Sequence, residues 1–153
     1  MPDDTKKPKR HQPTAEEGKQ ALRDHIVEKA MNARLRYGLY IDYETITRML
    51  DDREVVRYPT GIRFDAEPLQ AGEFAFACQI GEHPRDGFCI FIHPAFEDQP
   101  DILPLLIAYH LVVINYGTLA TSEDAELFGA TLLGLEVDAY YEALCELADS
   151  LSA

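Results

Sequence analysis

The side chains best suited to chemistry are two histidines, two tyrosines and an aspartate in the C-terminal half. They are His93, Tyr109, His110, Tyr116 and Asp124. An imidazole titrates near neutral pH, so a histidine can act as a general acid or base, or can bind a metal ion. A carboxylate is another common metal ligand, and a tyrosine hydroxyl can hydrogen-bond a bound molecule. We treat these five residues as candidate binding residues, with His110 and Tyr109 as the candidate catalytic pair.

A rearranged hydrolytic or metal site is one hypothesis for these residues. His93, His110 and Asp124 are the best available metal set, but they come from separate predicted elements and no spacing rule links them. A structural role is the alternative for each residue. A histidine on an apolar helix commonly hydrogen-bonds within the core, and an aspartate near a helix start is favoured by the helix dipole.

Other catalytic motifs are absent from the sequence. It contains no G-x-G-x-x-G, no G-x-x-x-x-G-K-[ST] and no G-x-S-x-G, so no nucleotide-binding loop or serine nucleophile is indicated. Cys78, Cys89 and Cys145 form no C-x-x-C pair, and their odd number argues against a disulfide framework. All three lie in apolar stretches, where we expect reduced and unreactive thiols. We predict no cofactor.

The N-terminal third of the chain has helical patterns. Residues 1–13 are polar, basic and rich in proline, and we predict a disordered tail there. Thr14 to Glu17 has the T-x-x-E form of a capping box, which predicts a helix that continues to Gly38. Asp42 is placed to cap a short second helix. We expect residues 14–153 to form a single domain.

The middle of the chain has the patterns of strands. We predict strands at residues 54–58, 62–64, 73–80 and 88–93, with a turn at residues 59–61. In the third of these, Phe74, Phe76, Cys78 and Ile80 share one face because side chains alternate along a strand. The last two strands are predicted to form a hairpin with a long connection. The sheet is therefore predicted to be small, twisted and mainly antiparallel.

Helical patterns return in the last third of the chain. Residues 102–116 are apolar nearly all round, which predicts a buried central helix that Asp101 caps and Gly117 ends. Ser122 is predicted to cap the next helix, and a last helix follows with an apolar face that includes Tyr140 and Leu144. This order of elements predicts an α+β fold.

This order, together with four stretches of sequence, resembles the ImmA/IrrE-type zinc metallopeptidases, which are minimal zincins. The stretches are residues 43–46, 89–94, 106–115 and 123–133. The first resembles the family's second helix, and the second resembles its apolar edge strand. The third stands where the family has a helix of the form L-x-A-H-E-x-x-H, and the fourth is similar to its E-A-x-x-F-A-x-x-L-L signature. The resemblance implies a zincin-like fold.

The residues that zinc chemistry needs are missing at the matching positions. Tyr109 stands at the first histidine of the motif, His110 at the general-base glutamate and Val113 at the second histidine. Only Asp124, at the position of the third ligand, could still coordinate. Because a valine cannot bind zinc and an imidazole cannot replace a carboxylate base, the resemblance implies that ordinary peptidase activity is absent.

A binding or regulatory module is therefore the favoured function, and a protein or peptide is the expected partner. An extended peptide could add beside the predicted strand at residues 88–93. A hydrolase with a rearranged site and a plain acidic interaction domain are the alternatives, and a homodimer is left open.

Charge and hydropathy limit the partners further. The chain has 14 Lys and Arg against 27 Asp and Glu, and neither Lys nor Arg occurs after Arg85. This balance argues against nucleic acids and anionic membranes, and it favours a basic partner. The N-terminus has no apolar stretch, and residues 102–114 are too short a run to cross a membrane. We therefore expect a cytoplasmic protein.

Overall fold

The computed structural model describes residue 12 and residues 14–151, so the predicted tail lies almost wholly outside the described residues. The predicted α+β class is confirmed. In chain order the elements are α1 (Ala15–Tyr37), α2 (Tyr43–Met49), β1 (Thr60–Phe64), β2 (Ala75–Gln79), β3 (Phe88–Ile92), α3 (Leu103–Tyr116), α4 (Ser122–Leu133) and α5 (Val137–Ser150). Within these described residues, no helix is long and apolar enough to cross a membrane.

The two N-terminal helices begin where their caps were predicted. The Thr14 hydroxyl accepts a hydrogen bond from the Glu17 backbone N–H at 3.1 Å, which satisfies one of the free donors at the start of α1. Gly38 ends that helix with φ at 100°, a conformation that favours glycine. The Asp42 carboxylate accepts from the Thr45 N–H at 2.8 Å and caps α2. Local sequence patterns therefore fix this part of the fold.

The predicted strand at residues 54–58 is wrong, because this segment is a series of turns. The backbone N–H groups of Val55 and Val56 both donate to the Asp52 carbonyl instead of to a neighbouring strand. Both valines are buried, so their apolar character reflects core packing of a loop. The predicted turn at residues 59–61 is also too long, since β1 already begins at Thr60.

The three strands form a mixed sheet in the order β1-β3-β2. β1 pairs with β3 in parallel and β2 pairs with β3 in antiparallel fashion, so only one of the two pairings is antiparallel. The stretch at residues 89–94 was expected at an edge, but β3 is the middle strand and both its sides are occupied. Strand addition beside β3 is therefore sterically excluded, and the described sheet has its free edges at β1 and β2.

The two faces of the sheet differ in what covers them. Ala75, Ile90 and Ile92 are buried on the inner face, where β2 and β3 contact α3. Phe76 is 43% exposed and Ile80 is 67% exposed, so Phe76, Cys78 and Ile80 lie on the outer face. The prediction that Phe74 shares this face is wrong, because Phe74 precedes β2 and its ring packs against Tyr109 and His110 of α3. The small alanine side chains of β2 point inward and allow α3 to approach the sheet closely.

The predicted central helix is confirmed as α3, and it begins at Leu103 with Pro104 in its first turn. The predicted cap at Asp101 is wrong, because the N-cap is Ile102 and no side chain caps this helix start. Most of its side chains are buried against the sheet, α2 and α4. The following helix is capped one residue earlier than predicted. Thr121 is its N-cap and Ser122 is its first helical residue. In α5, Tyr140 and Leu144 are buried, as its apolar face predicts.

Candidate functional site

Two depressions meet at Val113 on the more exposed side of α3, and we call them together the α3 groove. The first has a volume of about 200 Å³ and lies between α3 and the start of α4, with Tyr109, His110 and Thr121 in its lining. The second has a volume of about 360 Å³ and lies between α3 and β2, with Ala77 and Tyr116 in its lining. Val113 is 44% exposed and lines both.

His110 is held inside the protein by the backbone. His110 is only 7% exposed, and its Nδ1 lies 2.7 Å from the carbonyl oxygen of Leu106. Because a carbonyl can only accept, Nδ1 carries the proton and donates it. Burial lowers the pKa of His110, although the carbonyls of Leu106 and Ala75 and the charge of Glu73 oppose this effect. The ring is therefore neutral at neutral pH and is fixed in one tautomer.

Tyr109 presents an aromatic ring to the groove. The ring packs edge-on against Phe74 with a centroid distance of 6.4 Å, and it also contacts the imidazole of His110. Burial raises the pKa of the Tyr109 hydroxyl, and the negative charge of Glu126 adds to this effect. The phenol stays protonated at neutral pH, so it can act as a hydrogen-bond donor but not as a base.

The carboxylate of Asp124 belongs to the start of α4. Its Oδ2 accepts from the backbone N–H of Thr121 at 2.9 Å, and its own N–H donates to the Thr121 hydroxyl at 3.2 Å. This reciprocal pair is a capping box, which satisfies two donors that a helix start leaves free. Asp124 is 6% exposed, and the local sequence T-S-E-D explains its position without any ligand.

The two remaining candidate residues lie apart from each other. The Tyr116 hydroxyl is 2.7 Å from Nδ1 of His25 in α1, and burial raises the pKa of Tyr116 to about 12. Nδ1 of His93 accepts from the Ala95 N–H at 3.1 Å, which caps a short turn after β3. His93 lines a different depression, beside Glu73. The α3 groove is therefore lined by Tyr109, His110 and Tyr116 but by neither His93 nor Asp124.

A metal centre has no visible set of ligands in the part of the chain that the structure describes. No three His, Cys, Asp or Glu side chains there are grouped so that they could hold an ion. His93, His110 and Asp124 thus form no such group. The side chains at the two positions where the zincin motif has histidines, Tyr109 and Val113, face the groove but offer no nitrogen or sulfur ligand.

Sequence reasoning missed Asn115, which is buried on α3. Its Oδ1 accepts from the backbone N–H of Arg57 at 2.7 Å, and its Nδ2 donates to the carbonyl of Val55 at 2.9 Å. The amide therefore replaces the strand partner that the turns at residues 54–58 lack. A polar residue in an otherwise apolar helix was the available signal, because a buried amide requires hydrogen-bond partners.

The edge of β2 is the second feature that the sequence did not indicate. The Ile80 N–H donates to Gly87 and the His93 N–H donates to the Phe74 carbonyl, which fixes the alternation of the antiparallel pairing. The backbone groups of Ala75, Ala77 and Gln79 consequently point away from β3. In the described sheet no strand lies beyond β2, so this edge has no strand partner. Ala77 and Gln79 also line the α3 groove.

Comparisons with known proteins leave this site without a relative. No family model matches the chain, and neither the curated proteins nor the solved structures that were searched contain a match.

Proposed function

We propose that the chain is a non-catalytic, zincin-like module that binds an extended segment of a protein partner along β2, in the α3 groove. The observation that carries this proposal is the free edge of β2 beside a groove. An extended peptide can add to such an edge through main-chain hydrogen bonds, and its alternate side chains then enter the neighbouring depressions.

The polar side chains near the groove support binding over catalysis. The Nδ1 proton of His110 is used by the Leu106 carbonyl, and Oδ2 of Asp124 is used by the start of α4. A general base needs a nitrogen or oxygen that can reach the substrate. The imidazole is nearly sealed by Phe74 and Tyr109, so the geometry gives no support to a hydrolase with a rearranged site.

The groove also has the character of a peptide-binding surface. The depression beside β2 is lined by Tyr58, Phe88 and Tyr116, and aromatic side chains are enriched where proteins bind one another. The outward backbone groups of Ala77 and Gln79 stand at its margin. A bound strand would therefore satisfy these groups and cover apolar surface at the same time.

The charge of the chain favours a basic partner segment. The formal net charge is −13, and the helices α3, α4 and α5 carry no Lys or Arg at all. A basic segment would be attracted to the acidic surface of these helices around the groove, although Arg57 is in the lining of the groove itself. This attraction would weaken as salt increases. Main-chain hydrogen bonds at the β2 edge would depend less on salt, so the two contributions are separable.

Selection of linear peptides tests the proposal. A phage library of random twelve-residue peptides is panned on the immobilised full-length protein, and the selected peptides are measured by fluorescence anisotropy. Ala77→Pro removes an outward N–H of the edge strand and leaves the pairing with β3 intact. Ala77→Val is the matched control, because it adds a side chain of similar size in the groove and keeps that N–H.

We expect at least tenfold weaker binding to the proline variant than to the valine variant. Circular dichroism checks that both variants fold. Equal affinity for both folded variants would contradict strand addition. Peptides that bind both variants equally and lose affinity as salt increases would instead support a plain acidic interaction surface.

A further inference from the structure

Two cysteines lie directly opposite each other on the outer face of the sheet. Cys78 on β2 pairs with Cys89 on β3 in the antiparallel register, and both thiols are free. Side chains of opposed residues project from the same face, so the two thiols are neighbours. Burial raises the pKa of the Cys89 thiol, the charge of Arg63 opposes this effect, and the thiol of Cys78 adds a smaller increase. Cys145 is in α5, which packs on α4 and α3.

The register sets the distance between the two backbones. By the alternation fixed at Ile80 and Phe74, Cys78 and Cys89 are a hydrogen-bonded pair, whose Cα atoms are about 5.5 Å apart. Disulfides span Cα distances of roughly 4.4–6.8 Å, so a bond is within reach. Relaxed disulfides prefer Cβ atoms about 3.8 Å apart, whereas such cross-strand pairs are roughly 4.5–5.5 Å apart. Closure must therefore draw the strands together slightly.

The surroundings leave space for the thiols to react. α3 packs on the inner face of the sheet, opposite to the two sulfur atoms. The β1 residue that pairs with Cys89 is Gly61, and a Cβ atom added there would meet nothing within 4 Å. Cys89 is buried, while Cys78 is partly exposed and is the sulfur that a small reagent reaches first.

We propose that Cys78 and Cys89 are a redox-sensitive modification site. The two thiols form a reversible intrachain disulfide with each other by exchange with a low-molecular-weight disulfide such as oxidised glutathione. The Cys78 thiolate attacks one sulfur of oxidised glutathione, forms a mixed disulfide and releases one glutathione thiolate. The Cys89 thiolate then attacks the Cys78 sulfur and displaces the second glutathione. The protein dithiol loses two electrons and two protons, and two molecules of glutathione thiol are formed.

The geometry also explains why the bond should open again. A disulfide that must pull two strands together is strained, and strained disulfides are reduced more readily than relaxed structural ones. Reduced glutathione should therefore restore both thiols. This inference does not depend on the proposed binding function, because the sulfur atoms lie on the face of the sheet opposite to α3.

Mass spectrometry of the full-length protein tests the inference. The protein and its Cys145→Ser variant are equilibrated with oxidised glutathione, quenched with an alkylating reagent and digested. Trypsin alone is insufficient, because no Lys or Arg follows Arg85 and Cys89 and Cys145 remain on one peptide. A second protease that cleaves after Glu97 separates them.

We expect the number of free thiols in the unsubstituted protein to fall from three to one, with a peptide cross-link between Cys78 and Cys89. Cys145→Ser should keep this cross-link, and reduced glutathione should remove it. In Cys89→Ser, a glutathione adduct on Cys78 should accumulate instead. A cross-link to Cys145, glutathione adducts without a cross-link in the unsubstituted protein, links only between chains, or no reaction would each overturn the proposal.

Discussion

The two walls of the α3 groove use their polar groups in opposite ways. On the helical wall, His110 hydrogen-bonds a backbone carbonyl and Asn115 joins α3 to a distant loop. Asp124, which lies outside the lining of the groove, caps the start of α4. On the strand wall, the outward backbone groups of Ala77 and Gln79 have no strand partner in the described sheet. The polar side chains that the sequence suggested for catalysis thus make hydrogen bonds that stabilise the fold. The backbone groups at the edge of β2 remain available to a bound strand.

The two walls show that a buried polar side chain and an exposed strand edge indicate different things about function. A buried polar side chain must be hydrogen-bonded, so its presence alone indicates a partner and not a reaction. An exposed strand edge has unsatisfied peptide groups whatever its side chains are. The helical wall should therefore respond to mutation through stability, and the strand wall should respond through binding.

The largest effect on the helical wall is expected at Asn115. Asn115→Ala leaves the Arg57 N–H and the Val55 carbonyl without their partners, and each lost buried bond costs about 1–3 kcal/mol. We expect the free energy of unfolding to fall by about 3 kcal/mol in urea denaturation. The control is Asn32→Ala at an exposed position of α1, which should change it by less than about 0.5 kcal/mol. Equal effects would contradict a structural role for Asn115.

Restoring the zincin motif tests whether the helical wall has the geometry of a lost metal site. The combined variant Tyr109→His, His110→Glu and Val113→His should bind zinc, because two histidines four residues apart lie on one helix face. The control pair is Asp138→His with Glu142→His on exposed positions of α5. We expect at least tenfold tighter zinc binding at the restored site by competition titration.

The resemblance implies that Asp124 is the third ligand of such a site. Adding Asp124→Asn to the restored variant should remove most of the gain in zinc affinity. A gain that survives this substitution would contradict the assignment of Asp124, and an affinity equal to that of the control pair would argue against the zincin resemblance.

The burial of His110 predicts a pH dependence of stability. Its pKa is lowered in the folded protein, so below the unfolded value near 6.5 the unfolded state binds a proton that the folded state does not. This contribution to stability is complete above pH 6.5 and is lost as the pH falls, by at most about 1.4 kcal/mol per pH unit. His110→Gln cannot titrate and should show a shallower loss between pH 7 and pH 5. Parallel curves for the two proteins would contradict the burial of His110.

The smallest effect is expected at the start of α4. Asp124→Ala removes the capping box and should lower the free energy of unfolding by about 1 kcal/mol. Glu123→Ala is the matched control, because it removes a neighbouring negative charge from the same helix start but no capping bond. The difference between the two variants isolates the capping box. Equal losses would mean that Asp124 acts only through the helix dipole.

The parts of the fold that local patterns determine were predictable from the sequence. The caps at Thr14 and Asp42 and the apolar helix at residues 102–116 were all indicated correctly. The order of the strands was not, because hairpin signals favour neighbours in sequence and cannot show that β1 pairs with β3 in parallel. The strand predicted at residues 54–58 failed because Asn115, far along the chain, holds those turns.

The candidate site was predictable only in part. Tyr109 and Tyr116 are seven residues apart, which puts them on one face of a helix, and together with His110 they line one groove. The separation of His93 from that groove depends on tertiary packing, which no spacing rule shows. The free edge of β2 depends on strand order, and the cysteine pair depends on register. The strand order depends on the pairing of β1 with β3, which are distant in sequence, whereas the register of the predicted hairpin was left open by its long connection.

The metal content of the purified protein tests the central claim most directly. The full-length protein is expressed without a histidine tag and purified without chelator, and zinc, iron, manganese and nickel per chain are determined by mass spectrometry. A groove whose nearby polar side chains serve the fold should hold almost no metal. One tightly held ion per chain that survives dialysis would contradict this account, and variants of His93, His110 and Asp124 would then identify its ligands.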